Sequence, residues 1–143
     1  MAVRILPFTM ADYDEVIALW RSSPGVGLSD VDGPEGIAAY LARNPGLSFV
    51  ARLDSELAGA VLCGTDGRRG YLHHLAVGPQ YRRQGIGETL VESCLSGLKA
   101  QGCRKCHIFV YGGNVEGQVF WERVGWRLRT ELVIMSKDID LQT

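Results

Sequence analysis

The sequence predicts an α/β protein: a twisted, mixed and mostly antiparallel sheet of about six to seven strands flanked by about four helices. Two observations carry this. Apolar residues recur at strand-like alternation in some segments and at helical spacing in others, and the two kinds of segment interleave. Short turns, such as Asp54-Ser55-Glu56, join neighbouring strand-like runs as hairpins.

The elements follow in chain order. "VRILPF" reads as a first strand. Thr9, with Asp12 three residues on, is a weak capping box for a helix to about Arg21, which carries Tyr13, Val16, Ile17 and Trp20 on one face. "SSPGVGLSDVDG" is a loop. Asp32, Pro34 and Glu35 open a second helix that runs to about Arg43, and "NPG" ends it. "LSFVARL" and "LAGAVLC" form a hairpin, and "GTDGRRG" turns into "YLHHLAV". The longest helix runs from Gly85 to about Gln101, with Ile86, Leu90, Cys94 and Leu98 every four residues. Gly102 stops it. "KCHIFVY" is a strand, Val115 to Arg123 a short helix, and "WRLRTELVIMSK" one bent strand or two short ones.

A chain of 143 residues is the size of one domain, expected here over residues 1–143. Fifteen basic residues against sixteen acidic ones give a net charge of −1, which argues against a general nucleic-acid binder. No apolar run approaches the roughly 20 residues of a membrane span. The first residues, "MAVRILPFTM", lack the features of a signal peptide, so a cytoplasmic location is expected.

"GCRKCH" matches the C-x-x-C-H pattern of c-type haem attachment. Strand alternation sends Cys106 and His107 to opposite faces, and zinc would need two further ligands. Cys63 and Cys94 stand alone in apolar runs. Reduced cysteines and no metal are therefore expected.

"YRRQGIGETL" joins the end of a strand to the start of a helix. A helix N-terminus offers unpaired N–H groups and about half a positive charge. Gly85 and Gly87 allow close approach, while Arg82 and Arg83 add forked donors. Such a turn suits an anion, although the same glycines can simply shape the turn. A Walker loop would need Lys-Ser/Thr where Glu88-Thr89 stand. A dinucleotide fingerprint would need a third glycine or alanine in place of Leu90.

Arg82-Arg83-Gln84-Gly85-Ile86-Gly87 resembles the Gln/Arg-x-x-Gly-x-Gly/Ala signature of the GNAT superfamily of acyl-CoA-dependent N-acetyltransferases. "NVEGQVFWERVGW" resembles its second signature, Asn-x-x-Ala-x-x-Phe-Tyr…Gly-Phe, and element order fits over nearly the whole chain. "RNPGLSFVA" and "DGRRG" look similar to the YpeA-type branch.

The resemblance implies transfer of an acetyl group from acetyl-CoA to a primary amine by direct attack. The acceptor is a small-molecule or peptide amine, and a homodimer is compatible with these features. It implies that Arg82, Arg83, Gln84, Gly85, Ile86 and Gly87 hold the pyrophosphate, that Leu75, Ala76 and Val77 line the pantetheine arm, and that the Val77 N–H faces the thioester oxygen. Asn114 and Trp121 would also contact the coenzyme. A non-catalytic acyl-CoA-binding module is the alternative.

The attacking amine must be neutral, so a base or a water relay is needed. Alternation places Tyr71, His73, Leu75 and Val77 on one face and Leu72, His74 and Ala76 on the other. His73, on the face expected for Val77, is the candidate base, and Tyr71 can anchor a relay. The family's usual acid is a tyrosine where Trp121 stands, and indole cannot protonate a thiolate. Tyr111 is the candidate acid in its place. Asp30 and Asp32 sit in a loop expected to border the acceptor.

Overall fold

The computed structural model describes residues 2–139. The chain divides into two compact units, one ending at Tyr111 and the other beginning at Gly112.

The first unit holds the sheet. β1 (Val3–Pro7), β2 (Phe49–Leu53), β3 (Glu56–Thr65), β4 (Gly70–Val77) and β5 (Cys106–Ile108) lie in the order β1-β2-β3-β4-β5. The first three pairings are antiparallel, and β4 pairs with β5 in parallel. Helices α1 (Tyr13–Arg21), α2 (Pro34–Arg43) and α3 (Ile86–Ala100) complete the unit. Asp12 does accept from the Thr9 N–H, at 3.0 Å, and the pair opens a single 3-10 turn ahead of α1.

Two apolar layers sandwich the sheet. On one face Val16, Ile17 and Trp20 of α1 and Ile37 of α2 pack with Val50, Ala60, Leu62 and Ala76. On the other, α3 buries Ile86, Leu90, Val91, Cys94 and Leu98. That is the four-residue spacing expected of a helix with one buried stripe. Each fully buried leucine contributes about 2 kcal/mol. At the end of α3, Gly102 and Cys103 donate back to Lys99 and Leu98, both at 3.0 Å, and close the last turn.

The β3–β4 pairing carries an irregularity. Gly59 and Ala60 oppose Val77 and Ala76, yet Leu62 opposes His73, so one residue of β3 faces two of β4. His74 takes up the extra length at φ 56°. The bulge bends β4 and resets which side chains share a face.

In the second unit, α4 (Val115–Arg123) is capped by Asn114, whose Oδ1 accepts from the Gly117 N–H at 2.9 Å. Trp121 is buried and meets Phe120 and Trp126 edge-on, with centroids 5.1 and 4.9 Å away.

Two sequence expectations are corrected. "WRLRTELVIMSK" forms no strand, and the sheet has five strands rather than six or seven among the described residues. A strand exists only through its ladder, and this run has no ladder partner. Its side chains are largely exposed, including Leu132, Val133, Ile134 and Met135. "KCHIFVY" shortens to Cys106–Ile108, because β5 matches β4 only at Gly70, Tyr71 and Leu72.

Candidate active site

The open edge of β4 follows from that short pairing. β3 accompanies β4 through Val77, while β5 leaves it after Leu72. The Gly78 N–H donates to Ala58 O at 2.8 Å. Antiparallel alternation then points Ala76 toward β3 and turns the Val77 N–H and C=O outward, onto the edge that β5 has left. Val77 O is reached there by Arg82 Nε at 3.2 Å, which ties the strand end to the basic turn.

The turn itself is built for exposed N–H groups. Arg83 and Gly85 both have left-handed backbone, at φ 63° and 78°. Such a conformation is cheap for glycine and strained for arginine. Gly85 is the N-cap of α3, and no side chain caps that end. The first helical bond runs from the Thr89 N–H to Gly85 O at 3.0 Å, so the donors before Thr89 have no partner within the helix. Arg82, Arg83 and Gln84 are exposed beside them, whereas Ile86 is anchored in the core. Unpaired N–H groups, a helix dipole and two exposed guanidinium groups concentrate positive potential at this turn.

The bulge overturns the predicted alternation. His73 lies opposite Leu62, on the α1/α2 face, and so does Ala76, opposite Ala60. His74 also turns to this face, where its ring meets Trp20 at 4.9 Å. Both histidines thus share one side, with centroids 6.2 Å apart. Val77 opposes Gly59 and lies out of phase with Ala76, so it does not share His73's face. The shared-face argument for His73 therefore fails, and its position has to be judged on its own surroundings.

Those surroundings favour a neutral imidazole. Burial, then the neighbouring His74, hold the His73 pKa below its usual value, while Asp32 pulls weakly the other way. Tyr40 of α2 stands edge-on to it at 6.1 Å, and Phe109 lies at 6.3 Å. Tyr40 itself stays protonated, its pKa pushed up to about 12 by burial first and by nearby cysteines second.

His74 is engaged differently. Its Nε2 lies 2.9 Å from Asp32 Oδ1, and Asp32 is only 5% exposed. Asp32 Oδ2 accepts from the Ser29 N–H at 3.0 Å, and Asp32 O accepts from the Tyr13 hydroxyl at 2.7 Å. This network pins the loop ahead of α2 to the bulge of β4. Sequence reasoning placed Asp32 in an acceptor-attracting loop and missed the pair. The doublet His73-His74 inside a strand was the available signal, but the bulge that aims both rings depends on β3.

Tyr111 is 64% exposed, and its ring lies against Gly27 in the loop between α1 and α2. Any side chain at position 27 would overlap that ring. In the second unit, Asn114 commits its Oδ1 to the α4 cap, which leaves Nδ2 as its donor. Trp121 is 7% exposed and serves mainly as packing for Phe120 and Trp126.

"CRKCH" separates as alternation requires. Cys106 opposes Gly70, whereas His107 opposes Tyr71 and meets its ring at 5.7 Å. Cys103 Sγ lies 3.3 Å from the Thr65 hydroxyl, and burial pushes the Cys106 thiol up to about 12. Among the described residues, no three His, Cys, Asp or Glu side chains are grouped to hold a metal.

The geometry is that of a mixed α/β sheet whose parallel neighbours part beside an uncapped, basic helix start. Residues 13–126 match the model of the acetyltransferase (GNAT) family. An acetyltransferase of Sodalis glossinidius is 31% identical over 138 residues, which cover 96% of this chain and 94% of that protein. An acetyltransferase of Photorhabdus laumondii is 33% identical over 142 residues, covering 96% and 94%. Among solved structures, the PaiA N-acetyltransferase of Thermoplasma acidophilum, crystallised with coenzyme A, superposes with a TM-score of 0.78 at 21% identity, covering 90% of this chain and 92% of that one. The chain belongs to the acetyltransferase (GNAT) family.

Proposed function

We propose that residues 1–143 act as one N-acetyltransferase domain that uses acetyl-CoA to acetylate a primary amine. The observation that carries this reading is the uncapped start of α3 beside the outward-facing Val77 N–H. It is supported by a fold neighbour whose crystals hold coenzyme A.

Arg82, Arg83 and the N–H groups from Gly85 to Glu88 bind the pyrophosphate in this account. The β4 edge from Leu75 to Val77 pairs with the pantetheine amides as an added strand would. The Val77 N–H donates to the thioester oxygen as negative charge develops there. Asn114, the coenzyme contact implied by the family resemblance, has Nδ2 left as its donor.

An amine nitrogen attacks the acetyl carbon, a C–N bond forms and the C–S bond breaks. His73, kept neutral by burial, accepts the proton that the amine loses, directly or through water. The leaving group departs as a thiolate, whose reference pKa of about 8.5 makes the demand for an acid small. Tyr111 is the candidate donor, and with a thiolate that stable the reaction does not depend on it.

The test is steady-state release of CoA with a panel of small amines, aminosugars, amino acids and peptide N-termini, with the acetylated product identified by mass. Turnover with at least one amine supports the reading. Tight acetyl-CoA binding with no transfer to any amine would favour a non-catalytic acyl-CoA-binding module.

A further inference from the structure

The rings of Tyr71, His73 and Phe109 meet on the α1/α2 face. Tyr71 and Phe109 are stacked, with centroids 6.3 Å apart and planes 22° apart. Phe109 lies equally far, 6.3 Å, from the His73 ring. Both β4 residues are half-buried, yet Phe109 is 60% exposed. A phenylalanine ring left that open, against the strand that carries the candidate base, forms an apolar shelf.

One carboxylate whose field acts on His73, that of Asp32, is closed to a cationic ligand. It is 5% exposed and spends one oxygen on His74 and the other on the Ser29 N–H. An acceptor with several ammonium groups needs accessible carboxylates, and Asp32 is not one, whereas Phe109 and Tyr71 offer π-faces. A ring stacked on Phe109 and Tyr71 would gain apolar contact, and the same faces attract a single ammonium group on arrival. Apolar surroundings then favour the neutral amine that attack requires.

We infer that the acceptor is an aryl or arylalkyl amine, whose ring rests on Phe109 and Tyr71 and whose amine is presented to His73. This rests on the acetyl-transfer reading and names its substrate class. The step balances as before: the amine nitrogen takes the acetyl group, its proton passes to His73 or water, and CoA leaves as the thiolate.

Three probes decide it: 2-phenylethylamine, n-butylamine and spermidine, each with acetyl-CoA, in the wild-type protein and in Phe109→Ala. Binding of acetyl-CoA is measured separately by calorimetry. Ring stacking predicts kcat/KM about tenfold higher for 2-phenylethylamine than for n-butylamine, with spermidine no better than n-butylamine. Phe109→Ala should shrink the aryl preference to about twofold, through KM rather than kcat, and Phe109→Tyr should restore it. Equal use of all three probes, a preference for spermidine, or an aryl preference that survives Phe109→Ala would overturn the inference. So would acetyl-CoA binding without acetylation of 2-phenylethylamine, which leaves the coenzyme reading standing. Failure to bind acetyl-CoA would instead sink the underlying reading.

Discussion

The start of α3 and the bulge of β4 lie at opposite ends of one strand-to-helix connection and solve opposite problems. At the α3 start the N–H donors are left open, no side chain caps them and the arginines are exposed. At the bulge the polar groups are closed: His74 is held by Asp32, and Asp32 by Ser29. Both use left-handed backbone, at Gly85 in one and at His74 in the other. The open region is suited to bind a ligand that brings its own charge. The closed region is suited to keep one neighbouring imidazole, His73, rigid and neutral. On the proposed reading, recognition and proton acceptance fall to separate parts of the chain, and substitutions should pull them apart.

The largest expected effect belongs to the bulge. His73→Ala should lower kcat by about 10²–10⁴, the range of a lost general base. Its pKa shift fixes the sign of a pH effect as well. With the folded pKa below the ordinary value of about 6.5, the unfolded chain takes up this proton first as pH falls. The His73 contribution to stability is therefore complete above about pH 6.5 and is lost as pH falls through the folded pKa. Urea midpoints measured against pH should show that decline, and His73→Gln should flatten it. A wild-type midpoint that rises as pH drops below 6.5, with His73→Gln removing the rise, would reverse the assignment.

Gly87→Asp comes next and strikes the other region. A carboxylate added at the helix start opposes a phosphate, so kcat/KM for acetyl-CoA should fall at least about 100-fold. Because Gly87 is buried, circular dichroism must first show that the variant is folded, since unfolding would mimic the effect. An unaltered kcat/KM in a folded variant would remove α3 from the coenzyme site.

Asp32→Asn should act mainly on stability. It strips the charge from a buried pair and leaves His74 with a poorer partner, a loss of about 2 kcal/mol. For a domain of this size that is a fall in Tm of about 4–8 °C. Because Asp32 also bonds the loop ahead of α2, turnover should fall less than in His73→Ala. If turnover collapsed with no change in Tm, the pair would belong to the chemistry and not to its support.

Trp121→Phe is the smallest. The ring is packed against Phe120 and Trp126, and no proton donor of use to a thiolate is lost. Turnover within a few-fold of wild type is expected, and a loss of orders of magnitude would give Trp121 a direct part.

The two regions were not equally legible in the sequence. The α3 start was read from Arg82-Arg83-Gln84-Gly85-Ile86-Gly87 because everything that shapes it is local: a left-handed glycine, a helix start and flanking charge. Helix α4 was likewise read to the residue, from Asn114 at one end and Gly125 at the other. The bulge was not legible, since it arises from the register of β3 against β4 across Ala60 and Leu62. One inserted residue moved His74 to the face of His73 and undid the alternation used to choose between them. The final segment failed for a related reason. "ELVIM" has strong strand propensity, but propensity does not supply a neighbour to pair with.

The division of labour is tested most directly by calorimetric titration of acetyl-CoA into the wild-type protein, Gly87→Asp and His73→Ala. The account predicts that Gly87→Asp loses measurable affinity while His73→Ala binds within about threefold of wild type, because truncating a neutral imidazole removes no anion contact. Equal loss of affinity in the two variants, or full affinity retained in Gly87→Asp, would contradict it.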